Sequence, residues 1–266
     1  MTRDFTLDAY LQLLECIKET NYSCKNVRDY TYKSSGKCII LRHDVDRDIK
    51  RALDMAELEY NCDISSTYYF RHTKDVFVPE AMKKVEDMGH EVGFHYEVLD
   101  KSHGDYGKGI AIFENELNEF RKFVVVDTIC MHGNPFAHWS NKDIWNEYDF
   151  ESYGLIAEPY LSLDYSKIFY MTDTGRSWGN IASRVKDVVD SSFNSQVLNE
   201  FGPVNSTTDL IKLIKSQKVS QICILSHPNR WCNDIKGWSK ELVTQKIKNV
   251  GKRLIVQYRQ INTFNQ

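Results

Sequence analysis

Asp44, Asp46, His72, His95, Glu97, His132, Asp173 and His227 hold a common place in the rhythm of the chain, since each closes or follows a short apolar run. Carboxylates and imidazoles are the side chains that hold borderline divalent metals and move protons. The densest cluster is "LRHDVDRD", residues 41–48, with three acids, two arginines and a histidine in eight positions. So many charges at the end of a buried strand are costly unless a cation or an ion-pair network offsets them.

Alternate side chains on an extended strand share a face. Arg42, Asp44 and Asp46 therefore fall together, opposite Leu41, His43 and Val45. In "EVGFHYE" Val92, Phe94 and Tyr96 face one way, and Glu91, Gly93, His95 and Glu97 the other. Asp46, His95 and one further donor would then meet across neighbouring strands. That is a nitrogen-and-oxygen set suited to zinc, iron, cobalt or nickel with a position left open for water. A lone Asp-x-Asp is common and binds nothing in most chains, so the metal reading rests on the convergence of several strand ends. His90, ahead of its strand, reads as a turn or capping residue, and His103, in a glycine-rich loop, as solvated.

The elements that must position these residues alternate. A helical stripe runs from Phe5 to Lys18 with Thr6 as its cap. Strands are expected at 37–43, 66–72, 91–97, 127–133, 155–160, 167–173 and 221–228. Helical stripes at Ile49/Leu53/Ala56/Tyr60, Val78/Met82/Val85/Met88 and Ile110/Phe113/Leu117/Phe120 follow the first three. A shorter helix is expected around Ile144, with others near 208–217 and 239–249. Strands alternating with helices imply an α/β fold with a mostly parallel sheet of about seven strands, as a barrel or doubly wound. In both, ligands bind at the carboxyl ends of the strands, where these residues lie.

A chain of 266 residues with 42% hydrophobic content can bury one full core, and a single domain is expected. Its formal net charge of −3 excludes the strongly basic field of a nucleic-acid binder. Seven widely spaced cysteines without a CxxC pair read as reduced thiols, with neither a disulfide framework nor a cysteine zinc site. The first twenty residues lack the apolar core of a signal peptide, and no stretch has the length of a membrane span. A cytoplasmic protein with no nucleic-acid partner is expected; the oligomeric state is left open.

"RHDVD", "GHEVGFHYE", "MHGNP", "YMTDTGRSW" and "ILSHPNRW", in that order over roughly residues 38–232, resemble the successive motifs of the polysaccharide deacetylase (NodB-homology, carbohydrate esterase 4) superfamily. They come closest to its HDVD-type branch, which includes the WbmS-like proteins of surface-polysaccharide gene clusters. The resemblance implies a distorted (β/α)7-type barrel over 37–266; residues 1–36 have no counterpart in the motifs and are expected to form an N-terminal helical extension that closes the barrel or serves dimerisation. It also implies metal-dependent removal of an acetyl or formyl group from an amino sugar, on a nucleotide- or lipid-linked intermediate of surface polysaccharide biosynthesis. By position, Asp44 matches the catalytic base, Asp46 and His95 two metal ligands, and His227 the catalytic acid. The family's second metal histidine would stand at 99, where this chain has Leu99. His132 or Glu97 could replace it, with His132 favoured, and Arg42 could replace the arginine that tethers the base. Zinc is the expected metal, with iron, cobalt or nickel as alternatives. Other outcomes of the same resemblance are hydrolysis of another C–N bond, in a ureide or cyclic amide, or a catalytically silent barrel that binds a glycan or a partner.

His72, Asp173, Arg176, Trp178 and Trp231 are the substrate-binding candidates. Asp173 and Arg176 could bond a sugar or a phosphate, or form an ion pair that orders their loop, with His227 included. Trp178, Trp231 and Trp139 could stack on a sugar ring, although aromatics beside loops more often pack.

Overall fold

The computed structural model describes residues 3–33, 36–179, 189 and 192–263, with side chains as far as 251. Among them, seven strands pair in parallel: β1 (Ser23–Lys25), β2 (Cys38–Val45), β3 (Thr67–Arg71), β4 (Glu91–Tyr96), β5 (Ile129–Met131), β6 (Phe169–Thr172) and β7 (Gln221–Ser226). The helices are α1 (Leu7–Lys18), α2 (Val27–Tyr32), α3 (Ile49–Asn61), α4 (Pro79–Asp87), α5 (Val98–Lys101), α6 (Tyr106–Arg121), α7 (Pro159–Ser162), α8 (Ser192–Phe201), α9 (Thr207–Ser216) and α10 (Ile235–Thr263). Their starts follow local chemistry. Thr6 accepts the Ala9 N–H at α1, Asp48 that of Arg51 at α3, and Ser206 and Asp209 cap each other's backbone at α9.

The fold is α/β, with the sheet curled into a half-barrel in the order β5-β4-β3-β2-β7-β6. β1 lies off this path. It pairs with Cys38–Ile40 of β2, ahead of the Arg42–Val45 stretch that β3 takes. β5 and β6 do not pair. Between them run short 3-10 helices, Asn141–Asn146 and Phe150–Tyr153, and a single bridge from Thr128 to Ala157.

The strand expected at 155–160 is reduced to that bridge. Glu158 ends it, because its carboxylate accepts the N–H groups of Tyr160 and Leu161, while Pro159 suits the first position of α7. Tyr60 is also displaced from the expected face of α3: it is exposed, and Glu59 is the residue buried beside Ala52, Met55 and Ala56.

Strand β2 divides two cores. Cys38 and Ile40 face the inside of the curl with Tyr69, Tyr170, Cys223 and Leu225. Ile39 and Leu41 face outward with Phe169, Met171, Ile222 and Ile224, under α1 and α9. The alternation continues to the end of the strand, so Arg42 and Asp44 point inward and His43 outward. Gly93 makes room inside: a Cβ there would stand 2.5 Å from the Tyr69 ring, which lies 5.8 Å from the Arg42 guanidinium.

Candidate metal and catalytic site

The carboxyl ends of β2, β4, β5 and β7 open into a cavity of about 610 Å³ whose lining includes Asp44, Asp46, His95, His132 and His227. His95 is buried on β4, and its Nδ1 lies 2.9 Å from the Cys130 carbonyl. That oxygen only accepts, so Nδ1 carries a proton and Nε2 is the nitrogen turned toward the carboxylates. Nε2 stands 3.8 Å from Asp44 Oδ2 and 3.7 Å from Asp46 Oδ1. His132 follows β5, its N–H bonded to the Tyr96 carbonyl, and its Nε2 lies 3.6 Å from the same Asp46 oxygen. These separations are too long for hydrogen bonds and suit ligands spaced around one ion bound at about 2.0–2.2 Å.

The polar atoms here lack partners. Asp44 Oδ1, Asp46 Oδ1 and His132 Nδ1 are all buried and make no hydrogen bond. Buried polar groups are otherwise nearly always satisfied. Burial raises the Asp46 carboxyl, but His95, His227 and His132 around it hold it well below the usual range. Burial lowers the His132 imidazole to about 4, against the pull of Asp46, so it is neutral at neutral pH, as a ligand must be. For His95 the balance reverses: Asp44 and Asp46 outweigh burial and favour imidazolium. The donor set of two imidazoles and two carboxylates therefore fits a divalent cation.

Two groups bring three potential ligand atoms within 4.8 Å of one another, Asp44, His95 and Cys130, and Glu97, Asp100 and His132, and Asp46 is in neither. Neither Cys130 nor Asp100 nor Glu97 lines the cavity. Asp100 is also occupied by Trp139 and Asn141, and Glu97 by Arg71. Glu97 stands behind His132, 3.4 Å from its Nδ1 with no hydrogen bond between them. Asp46, His95 and His132 are thus the three that share one oxygen at the cavity wall. Leu99 does not line the cavity and is buried against α6 and the 3-10 helix: a Cβ at Gly109 would meet both Leu99 and Ile144.

Arg42 is fully buried, 3.5 Å from Asp44 Oδ2. Tyr160 holds it, with its hydroxyl at 3.1 Å and its ring centre at 4.8 Å. Burial disfavours the charge, but Asp44 and neighbouring groups keep the guanidinium protonated. Across the cavity, His227 Nδ1 lies 2.7 Å from Asp173 Oδ1, and Asp173 Oδ2 accepts the His227 N–H at 3.0 Å. Arg230 and the Trp231 indole also donate to this carboxylate. Burial raises Asp173, yet Arg230 and His227 outweigh it and hold the carboxyl at about 2. Arg230 NH1 also lies 2.7 Å from His227 Nδ1. Asp173 Oδ1 only accepts, and with the Nδ1 proton of His227 given to it, Nε2 is the ring nitrogen left to exchange a proton in the cavity.

Several expected substrate contacts lie elsewhere. His72 is one residue past β3 on the outward face, 3.2 Å from Glu116 and against the Phe77 ring at 4.6 Å, so it is outside the cavity. Arg71, which the period of two turns inward and which pairs in register with His95, lines the wall in its place. Trp178 and Trp231 are fully buried; Trp178 bonds Thr207, and the two rings pack with Phe5. Neither offers a face to a sugar. Arg176 donates to the Trp238 carbonyl and stacks on that ring at 4.5 Å, away from Asp173, whose arginine partner is Arg230. His90, which follows the turn at 88–89, is buried, bonded to Ser66 and the Ala56 carbonyl. Gln245, Ile247 and Lys248 of α10 complete the wall, and nothing in their motif context marked them.

No known family's profile matches the chain, and no curated protein does. Among solved structures, two chains of the peptidoglycan deacetylase PdaC from Bacillus subtilis match, one of them a mutant. They share 12% identity and a TM-score of 0.36 with this chain, covering 82% and 81% of it and 98% and 96% of their own lengths.

Proposed function

We propose that the chain is a metal-dependent amidohydrolase that removes an acetyl or formyl group from an amino sugar. The observation that carries the reading is the approach of two imidazole Nε2 atoms, at 3.7 and 3.6 Å, to one buried, unpartnered Asp46 oxygen. Asp46, His95 and His132 would hold the ion, zinc before iron, cobalt or nickel. A divalent ion there supplies Lewis acidity toward an amide carbonyl and water.

The chain's own groups divide the proton work. Asp44, tethered by Arg42 and with Oδ1 free, accepts the proton of the attacking water. An amine cannot leave as an anion, so His227 donates through Nε2 to the nitrogen as the C–N bond breaks, releasing acetate or formate and the free amine. Asp173 fixes the His227 tautomer and steadies its positive form, as a buried carboxylate does behind a catalytic imidazole. Motif order adds the sugar: the resemblance runs through the segments that supply Asp44, His95, His132 and His227. The same resemblance supports a nucleotide- or lipid-linked intermediate of surface polysaccharide assembly, worked on in the cytoplasm.

The test is metal content together with acyl release. Purified protein should carry about one equivalent of transition metal, lost in Asp46→Ala, and release acetate or formate from nucleotide- or lipid-diphosphate-linked N-acyl amino sugars. Protein without metal, and unchanged by Asp46→Ala, would leave the silent glycan-binding barrel. Metal with release only from a ureide or cyclic amide would move the reaction to the other C–N bond.

A further inference from the structure

Helix α10 leaves a row of apolar side chains uncovered beside the cavity. Val243, Ile247 and Val250 are 57%, 68% and 57% exposed, and their spacing of four and then three residues sets them on one side of the helix. Phe136, in the loop after β5, is 70% exposed. Phe136 and Ile247 both line the cavity that holds Asp46 and His227. The row therefore borders the mouth of the site.

Charge identifies what covers it. Residues 242–266 carry Lys246, Lys248, Lys252, Arg253 and Arg259 and no acid, in a chain whose formal net charge is −3. An apolar row on a segment whose sequence carries five cations and no acid is the makeup of a helix that lies in the headgroup region of a bilayer. A second copy seated on the same row would bring like charges together, so an anionic surface is favoured over self-pairing. Among the described residues no helix is long and apolar enough to cross a membrane, so this contact would be with one leaflet.

We propose that α10 seats the protein on an anionic phospholipid surface with the cavity mouth toward the headgroups, so that the amino sugar it takes is carried on a lipid. The choice of substrate rests on the amidohydrolase reading; the docking does not.

Flotation of the full chain with vesicles tests the docking. Partitioning onto phosphatidylcholine mixed with phosphatidylglycerol should exceed that onto phosphatidylcholine alone by about tenfold or more, and fall as added NaCl screens the surface. Val243→Ser with Val250→Ser should lower partitioning about tenfold. Lys246→Gln should lower it about fivefold on the mixed vesicles alone. None of these three residues lines the cavity, so acyl release from a water-soluble substrate should not change. Asp46→Ala should float like the native chain, which separates failure of this inference from failure of the enzymatic reading. Equal binding to both vesicle types, or none, overturns the docking. So does a native dimer that the double valine variant splits, which would give the row to a second copy. Docked protein that prefers the water-soluble amino sugar to the lipid-linked one overturns the choice of substrate.

Discussion

The two faces of β2 carry two buried polar clusters built from adjacent residues, and they differ in how far they are satisfied. On the outward face Glu59 of α3 is fully buried and takes four donors: Tyr10, His43 at 2.7 Å, Ser66 at 2.6 Å and Tyr68 at 2.8 Å. Only His43 Nδ1 is left over in that group. On the inward face Asp44 Oδ1, Asp46 Oδ1, His132 Nδ1 and two nitrogens of Arg42 have no partner. Both clusters hold acids, histidines and tyrosines, so composition does not separate them. Satisfaction does: a closed network fastens α1 and α3 to the sheet, whereas an open one has lone pairs and protons left for something that arrives.

The sharpest way to break this contrast is Asp46→Ala. If the inward cluster is a metal site, kcat/KM for acyl release should fall by about 10³-fold or more, about 4 kcal/mol of transition-state stabilisation, with loss of bound metal. Thermal stability of the metal-free chain should fall only modestly, because the attraction of His95, His227 and His132 for the carboxylate is lost but no hydrogen bond goes with Asp46 Oδ1. A large drop in stability instead would make the two faces alike.

Glu59→Gln should do the opposite, costing about 3 kcal/mol in urea unfolding while metal content and acyl release per folded molecule stay native. Acid sharpens it. Burial raises the Glu59 carboxyl, but His43 and His90 outweigh burial and hold it at about 2. A carboxyl lowered on folding contributes stability that is present above its unfolded value of about 4.3 and is lost as pH falls through the folded value. Native protein should therefore weaken between about pH 4.3 and 2, and Glu59→Gln should show a flatter curve there.

Third in size is Asp173→Asn. The amide can no longer hold His227 with its proton on Nδ1, so kcat should fall about 10²-fold, about 2.7 kcal/mol, with KM and metal content little changed. Equal loss of metal would show that Asp173 supports the binding cluster rather than the histidine opposite it.

Much of this arrangement was legible in the chain because period and position are strong signals in a parallel sheet. Alternation alone divides Arg42, Asp44 and Asp46 from His43, and strand ends collect Asp46, His95, His132 and His227 at one cavity. The same rule, applied one residue further, separates Arg71 from His72 and was the signal that could have replaced one by the other. What was not legible came from contacts between distant segments. Glu59 reads as one more helix-surface acid until Tyr10, from α1, covers it. Trp178 and Trp231 sit in loop motifs, yet Phe5 from the N-terminal stretch packs against both. β1, α2 and α5, at three, six and four residues, are too short to show any period.

Arg42→Lys makes the smallest change and probes the inward face from within. Arg42 is as buried as Glu59, and Tyr160, Asp44 and the Tyr69 ring engage it, but its Nε and NH1 have no hydrogen-bond partner. Lysine keeps the charge and loses the planar fork and the stacking on Tyr160. If the guanidinium only neutralised Asp44, the ammonium would serve nearly as well. If it sets the direction of the carboxylate, kcat/KM should drop about tenfold, about 1.4 kcal/mol, with bound metal retained and thermal stability close to native. Loss of stability without loss of rate would place Arg42 with the closed network behind the strand, and the division between the two faces of β2 would then run through the inward cluster itself.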